Sequence, residues 1–136
     1  MDELFYREYI LEHYRNPHNY GRLENPDLSY EDDNPLCGDR IRVELRVGGG
    51  RITDIRFEGK GCAISQASTS MLTDTVKGMT LEETLRLGKD DVLENLGTEN
   101  ISAARIKCAT LGLKVLKEAA LGGMPQAWPD EEGQRR

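Results

Sequence analysis

Three cysteines are the residues of this chain best suited to chemistry: Cys37, Cys62 and Cys108. They lie in the segments Asn-Pro-Leu-Cys-Gly-Asp, Gly-Lys-Gly-Cys-Ala and Arg-Ile-Lys-Cys-Ala-Thr. An odd number of cysteines argues against a closed disulfide framework. Together with the carboxylate of Asp39, three thiolates would offer four ligands to one metal ion.

Asp39 follows Cys37 by two residues, and Gly38 between them permits backbone angles that other residues avoid. Residues two apart can face the same side of a strand, so the thiol and the carboxylate can share one centre. The alternative is an ordinary turn in which Asp39 bonds the local backbone. This segment alone does not separate the two interpretations.

Cys62 precedes a predicted helix, where the positive end of the helix dipole favours a thiolate. Gly59 and Gly61 leave room for a ligand or a partner to approach. The alternative is a small buried residue at a helix cap, since cysteine is often part of a core. The two glycines favour the functional interpretation.

Cys108 lies in the first turns of the last predicted helix, after Arg105 and Lys107. Neighbouring cations favour a thiolate, but Cys108 also shares an apolar face with Leu111 and Val115, and taken alone it fits packing slightly better.

The cysteines are separated by 25 and 46 residues, unlike the close pairs of zinc fingers. Spacing therefore does not establish a shared site.

Composition limits the class of protein. The 136 residues fit one domain, and 38% hydrophobic with 31% charged residues is typical of a globular chain. The net charge of −6 disfavours non-specific nucleic-acid binding. No apolar run is long enough to span a membrane, and the N-terminus lacks a signal-peptide pattern. We therefore expect a cytoplasmic protein that binds neither nucleic acid nor membrane.

The pattern of elements predicts an α+β fold. Residues 40–47 alternate between apolar and charged, as in a half-buried antiparallel strand, and three glycines then predict a hairpin into a strand over 52–57. Ile52 and Ile55 are an odd number of positions apart, so a regular strand would place them on opposite faces. This break in the alternation is consistent with a bulge. A third strand over 28–32 is weaker. Helices are expected over 2–15, 63–77, from Thr80, over 90–96 and from Ser102 to 121.

These elements predict a small antiparallel sheet with helices packed on one face. Residues 1–123 should form a single domain. Residues 124–136 have two prolines, clustered charge and no apolar period, and are expected to be a disordered tail.

Four segments of the chain resemble the U-type iron–sulfur cluster scaffold family, which comprises IscU, the N-terminal domain of NifU, and SufU. The resemblance runs from about residue 4 to residue 121, and it is carried by residues 14–17, 34–39, 57–65 and 105–108. The Cys-Gly-Asp and Gly-x-Gly-Cys motifs, in this order, are highly specific together. The resemblance implies an α+β fold in which the three cysteines converge. It also implies the ligand set Cys37, Asp39, Cys62 and Cys108.

The family resemblance implies a scaffold or sulfur acceptor rather than a turnover enzyme. A cysteine desulfurase would supply sulfur, and a transient 2Fe-2S or 4Fe-4S cluster would pass to apo iron–sulfur proteins. Cys108 is the expected persulfide acceptor, supported by Arg105 and Lys107. The main alternative is a zinc-containing, SufU-type sulfurtransferase that activates the desulfurase. A purely structural zinc domain is a third, which the wide ligand spacing and the glycines disfavour.

Two departures from the family pattern bear on partners. Lys107 stands where IscU proteins carry histidine, and residues 101–105 replace their Leu-Pro-Pro-Val-Lys chaperone motif, so handover through the dedicated Hsp70 chaperone is not implied. The Arg-Ile-Lys-Cys-Ala-Thr-Leu run is similar to SufU. The 46-residue separation of Cys62 and Cys108 leaves no room for the insertion typical of SufU.

Overall fold

The fold is α+β, as predicted. The computed structural model describes residues 8–34, 38–97 and 101–122. Its elements are α1 (Glu8–Arg15), β1 (Leu28–Asn34), β2 (Asp39–Gly48), β3 (Arg51–Lys60), α2 (Ala63–Val76), α3 (Leu81–Leu85), α4 (Lys89–Leu96) and α5 (Ala103–Leu121). The predicted tail over 124–136, the predicted start of the first helix and Cys37 lie outside the described residues.

The three strands form one antiparallel sheet in the order β1-β2-β3. Alternation in β2 buries Ile41, Val43 and Leu45 almost completely, as the period of a half-buried strand requires. The expected bulge is present, because Val47 pairs with Ile52 while Arg46 pairs with Asp54. The extra residue in β3 places both Ile52 and Ile55 in the core despite their odd spacing.

Helices α2 and α5 pack on the apolar face of the sheet and contact each other closely. The two helices approach closely at Gly112 of α5, where a Cβ atom would lie 2.1 Å from the Thr69 hydroxyl oxygen of α2. One helical turn nearer the start of α5, the Ser68 hydroxyl donates a 2.6 Å hydrogen bond to the Ala109 carbonyl. Small and hydroxyl-bearing side chains thus set the separation of the two helices.

Two smaller helices and α1 complete the helical layer. The predicted capping box of α3 is confirmed: the Glu83 amide donates to the Thr80 hydroxyl at 3.0 Å, and the Thr80 amide donates to the Glu83 carboxylate at 2.9 Å. Helix α1 is tied to α2 where His13 Nδ1 and the His18 amide both bond the Ser70 hydroxyl, at 2.7 and 2.8 Å. Burial, with His18 nearby, lowers the pKa of His13.

No helix among residues 8–34, 38–97 and 101–122 combines the length and apolar character that crossing a bilayer would need.

The chain between α1 and β1 crosses the polar face of the sheet and is anchored there by Glu44. The Leu23 amide donates to one carboxylate oxygen at 2.6 Å, and Arg42 Nε donates to the other at 2.9 Å. Glu44 is only 3% exposed. Burial raises its pKa, but the bonds from Leu23 and Arg42 outweigh that effect, so the pKa lies below its usual value.

We predict that Glu44→Gln destabilises the protein by about 1–3 kcal/mol near neutral pH, because a buried charge-assisted network loses its charge. A carboxyl whose folded pKa is lowered contributes stability above its unfolded pKa and loses it as pH falls through the folded value. The wild type should therefore approach the variant in stability under acid conditions. Urea unfolding across pH measures this.

The exposed Glu94→Gln variant is the control for loss of a carboxylate, and its stability should differ little from wild type. A stability difference between wild type and Glu44→Gln that stays constant down to about pH 3 would contradict the proposed role of the Glu44 charge.

Candidate metal centre

Three side chains from three elements meet at one end of the fold. Asp39 begins β2, Cys62 is the N-cap of α2, and Cys108 lies in the second turn of α5. One ligand atom from each lies within 4.8 Å of the other two. The end of the sheet and the first turns of two helices thus gather two thiols and a carboxylate predicted as ligands.

The carboxylate of Asp39 is fully buried, with 0% exposure. Its Oδ1 accepts a 2.9 Å hydrogen bond from the Cys62 amide. Its Oδ2 has no hydrogen-bond partner among the described residues. A buried carboxylate oxygen without a partner is costly, and a cation beside it would remove the cost. Two thiols and one carboxylate oxygen are a donor set that zinc or iron accepts, so the residues present fit such an ion.

Gly61 is the residue that lets this carboxylate reach Cys62. Its φ is +143°, and a Cβ atom there would lie 2.0 Å from Asp39 Oδ1. The expected room at Gly61 is therefore filled by Asp39. At Gly59, a Cβ atom would lie 2.5 Å from the Arg40 carbonyl oxygen, so the β2–β3 contact also requires glycine.

Gly38, the other predicted supporting glycine, has φ +73°, which suits glycine. Its amide donates a 2.8 Å hydrogen bond to the Asn34 carbonyl, and this bond joins the end of β1 to the residue before β2. Asp39 pairs directly with Asn34 in the sheet. The start of β2, and with it Asp39, is fixed by this backbone pairing.

The two described cysteines differ in exposure. Cys62 is partly exposed, and its carbonyl accepts the Gln66 amide and the Ser65 hydroxyl, both at 3.2 Å, as α2 begins. Cys108 is 1% exposed. Of the predicted supporting cations, Lys107 is exposed and Arg105 is half-buried. Cys37, the remaining predicted ligand, lies outside the described residues.

Sequence reasoning overlooked the residues that hold the two cysteine-bearing helices together. Helix α2 buries a row of polar side chains almost completely, namely Ser65, Gln66, Ser68, Thr69, Ser70 and Thr73. The available signal was Gly112, because glycine inside a helix costs about 1 kcal/mol and indicates a close contact. Of these side chains, Ser68 and Thr69 contact α5 and so position Cys108 relative to Cys62.

Comparison with known proteins gives one family. Residues 5–122 match the family described as NifU-like N terminal domain. A solved structure of the N-terminal part of a nitrogen-fixing NifU-like protein from Brucella abortus superimposes with a TM-score of 0.70 at 27% identity. The match covers 86% of this chain and 92% of that one.

Two curated relatives are more similar in sequence. The zinc-dependent sulfurtransferase SufU of Bacillus subtilis (strain 168) is 39% identical over 132 residues, covering 85% of this chain and 89% of the relative. The iron–sulfur cluster assembly scaffold protein IscU 1 of Archaeoglobus fulgidus is 36% identical over 114 residues, covering 84% and 73%. The chain is thus similar to proteins of both names.

We predict that Gly112→Ala lowers the free energy of unfolding by about 1–3 kcal/mol, because the added methyl group must push Thr69 and the two helices apart. Thermal unfolding measures this. Gly88→Ala shows the cost of adding a methyl group without a clash, since a Cβ atom at this N-cap residue of α4 meets nothing within 4 Å. A melting temperature of Gly112→Ala equal to or above that of the wild type would show that the α2–α5 contact tolerates extra volume.

A second prediction concerns thiol access in the metal-free protein. Cys62 should react with iodoacetamide at least about tenfold faster than Cys108, because alkylation requires an accessible thiolate. Peptide mass spectrometry after timed quenching measures the two rates, and the rates in urea-unfolded protein provide the reference. Equal rates in the folded protein would contradict the buried position of Cys108.

Proposed function

Because the chain belongs to the family of NifU-like N-terminal domains, we propose that it is a scaffold for iron–sulfur cluster assembly. In this proposal it accepts sulfur from a cysteine desulfurase, binds iron, and passes the completed cluster to apo-proteins in the cytoplasm. The single observation that carries the proposal is the grouping of Asp39, Cys62 and Cys108, whose ligand atoms lie within 4.8 Å of one another. One oxygen of this buried carboxylate has no partner among the described residues.

The mixed ligand set suits a cluster that is cargo rather than a permanent cofactor. Thiolates from Cys62 and Cys108 bind iron strongly, whereas the oxygen of Asp39 is a harder and weaker ligand for an iron–sulfur centre. We propose Cys37 as the fourth ligand on the strength of its Cys-Gly-Asp motif. Three strong ligands would hold the cluster, and the weaker one would provide a point where a recipient protein's ligand can enter.

We assign sulfur acceptance to Cys108. In this step the Cys108 thiolate attacks the terminal sulfur of the desulfurase persulfide. The sulfur–sulfur bond of the donor breaks, its cysteine leaves as a thiolate, and the persulfide, with its proton, is now on Cys108. Arg105 and Lys107 would favour the attacking thiolate. Because Cys108 is 1% exposed, delivery requires the site to open, with the more accessible Cys62 beside it.

A second candidate function is that of a zinc-containing sulfurtransferase that activates the desulfurase. The observation that favours it is the 39% identity to a relative named as a zinc-dependent sulfurtransferase. Zinc would be held by the same side chains, and one cysteine would take sulfur. The two functions share the site and differ in what leaves it: a cluster in the first, and sulfur alone in the second.

The deciding experiment is anaerobic reconstitution with ferrous iron, cysteine and a cysteine desulfurase, followed by absorption and Mössbauer spectroscopy. For a scaffold, we expect a cluster that transfers to an apo-ferredoxin. Cys62→Ser and Cys108→Ser should each lower cluster yield by about tenfold or more, because serine oxygen is a poor ligand for iron in a cluster. Exposed Glu94→Gln is the control and should load normally.

Desulfurase activation with zinc retained and no cluster formed would favour the sulfurtransferase. Absence of both cluster formation and activation would contradict both functions.

A further inference from the structure

We propose that Asp39 is also the positioning residue for Cys62: Oδ1 holds the Cys62 backbone amide, and Oδ2 is left to bind the metal. The metal-binding half rests on the proposed function, whereas the positioning half concerns the metal-free protein. The two halves make different predictions for the same set of variants.

The first argument is how α2 begins. An N-cap residue usually uses its own side chain to bond the amides of the first helical turn. Cys62 occupies the N-cap position in extended geometry, and its side chain makes no capping hydrogen bond among the described residues. Its own amide instead donates to Asp39, which is 23 residues earlier in the chain. In a capping box, the glutamate side chain of the helix accepts a bond from the N-cap amide. Asp39 accepts the same bond here, but it lies in the sheet.

The second argument is the stiffness of the element that carries Asp39. Asp39 pairs with Asn34 of β1, and the next residue, Arg40, pairs with Lys60 of β3. Its exposure is 0%, so the carboxylate is confined by its surroundings. A 2.9 Å bond from this position ties the N-terminus of α2 to the sheet. The thiol of Cys62 therefore takes no part in capping α2, and it lies beside the thiol of Cys108.

The third argument is that the two carboxylate oxygens differ in their hydrogen-bond partners. Oδ1 already accepts the Cys62 amide, whereas the buried Oδ2 has no partner among the described residues. One oxygen of this carboxylate lies within 4.8 Å of both the Cys62 and the Cys108 sulfur. A carboxylate that only capped the helix would leave Oδ2 with an uncompensated desolvation cost. A metal ion bound through Oδ2 alone would satisfy it without breaking the bond to Cys62.

Gly61→Ala tests this proposal while leaving every candidate ligand in the chain. The new Cβ atom would lie 2.0 Å from Oδ1, so the carboxylate must move away from the Cys62 amide. Gly78→Ala is the control: its φ of +88° is also positive, so alanine is strained there too, but a Cβ atom there meets nothing within 4 Å. Asp39→Asn keeps an oxygen acceptor and removes the charge, whereas Asp39→Ala removes both.

The first measurement is amide hydrogen exchange at Cys62 in the metal-free protein, followed by NMR. We expect exchange roughly tenfold faster in Gly61→Ala and Asp39→Ala than in wild type, because the amide loses a hydrogen bond to a charged group. Gly78→Ala should match wild type, and Asp39→Asn should stay close to it.

The second measurement is zinc affinity in competition with a chromophoric chelator. Gly61→Ala should bind zinc about 10- to 100-fold more weakly, the range typical of lost ligand positioning. Asp39→Asn should also bind weakly, but with its Cys62 amide still protected, since it loses only the metal-binding oxygen.

Three results would overturn the proposal. Equal Cys62 exchange in Gly61→Ala and Gly78→Ala would show that Asp39 does not hold this amide. Fast exchange in Gly61→Ala with wild-type zinc affinity would show that the positioning does not serve the metal. If Gly61→Ala does not fold, the comparison of Asp39→Ala with Asp39→Asn decides, and equal Cys62 exchange in those two variants overturns the proposal. A failure of cluster transfer leaves the exchange result standing and counts only against the proposed function.

Discussion

A buried carboxylate is the constraint around which the functional end of this protein is arranged. Asp39 has no access to solvent, so each of its oxygens must be satisfied from within the fold or by a bound ion. One oxygen takes the Cys62 amide, which fixes where α2 begins. Residue 61 must be glycine because any side chain there would occupy the space of that oxygen. The other oxygen is buried without a hydrogen-bond partner among the described residues, in a carboxylate that lies close to the Cys62 and Cys108 thiols.

The second constraint is the contact between α2 and α5, which carry Cys62 and Cys108. Gly112 against Thr69 and the bond from Ser68 to the Ala109 carbonyl let the two helices approach closely. Close packing makes the separation of the two cysteines a property of the core. The sheet and the two helices therefore each place one candidate ligand on a packed element, and rigid placement of ligands favours binding of a metal.

For the proposed scaffold, holding a cluster firmly and releasing it are opposing demands. Ligands of unequal strength and unequal exposure would meet both demands. Cys108 is buried, Cys62 is partly exposed, and the carboxylate oxygen is the weaker donor to iron. Membership of the NifU-like N-terminal family, with relatives named both as scaffold and as sulfurtransferase, agrees with a site that can serve cluster assembly or sulfur transfer.

The sequence by itself determined the class of fold, the main elements and the candidate ligands. Alternation over β2, the glycine hairpin, the break in the alternation before Ile55 and the Thr80–Glu83 capping box are local patterns, and each is present in the structure. Only the tertiary structure decided the bond from Cys62 to Asp39 and the clash that excludes a side chain at residue 61. These are contacts between residues far apart in the chain. Local periodicity carries no information about them, because their distances depend on how the sheet and helices pack.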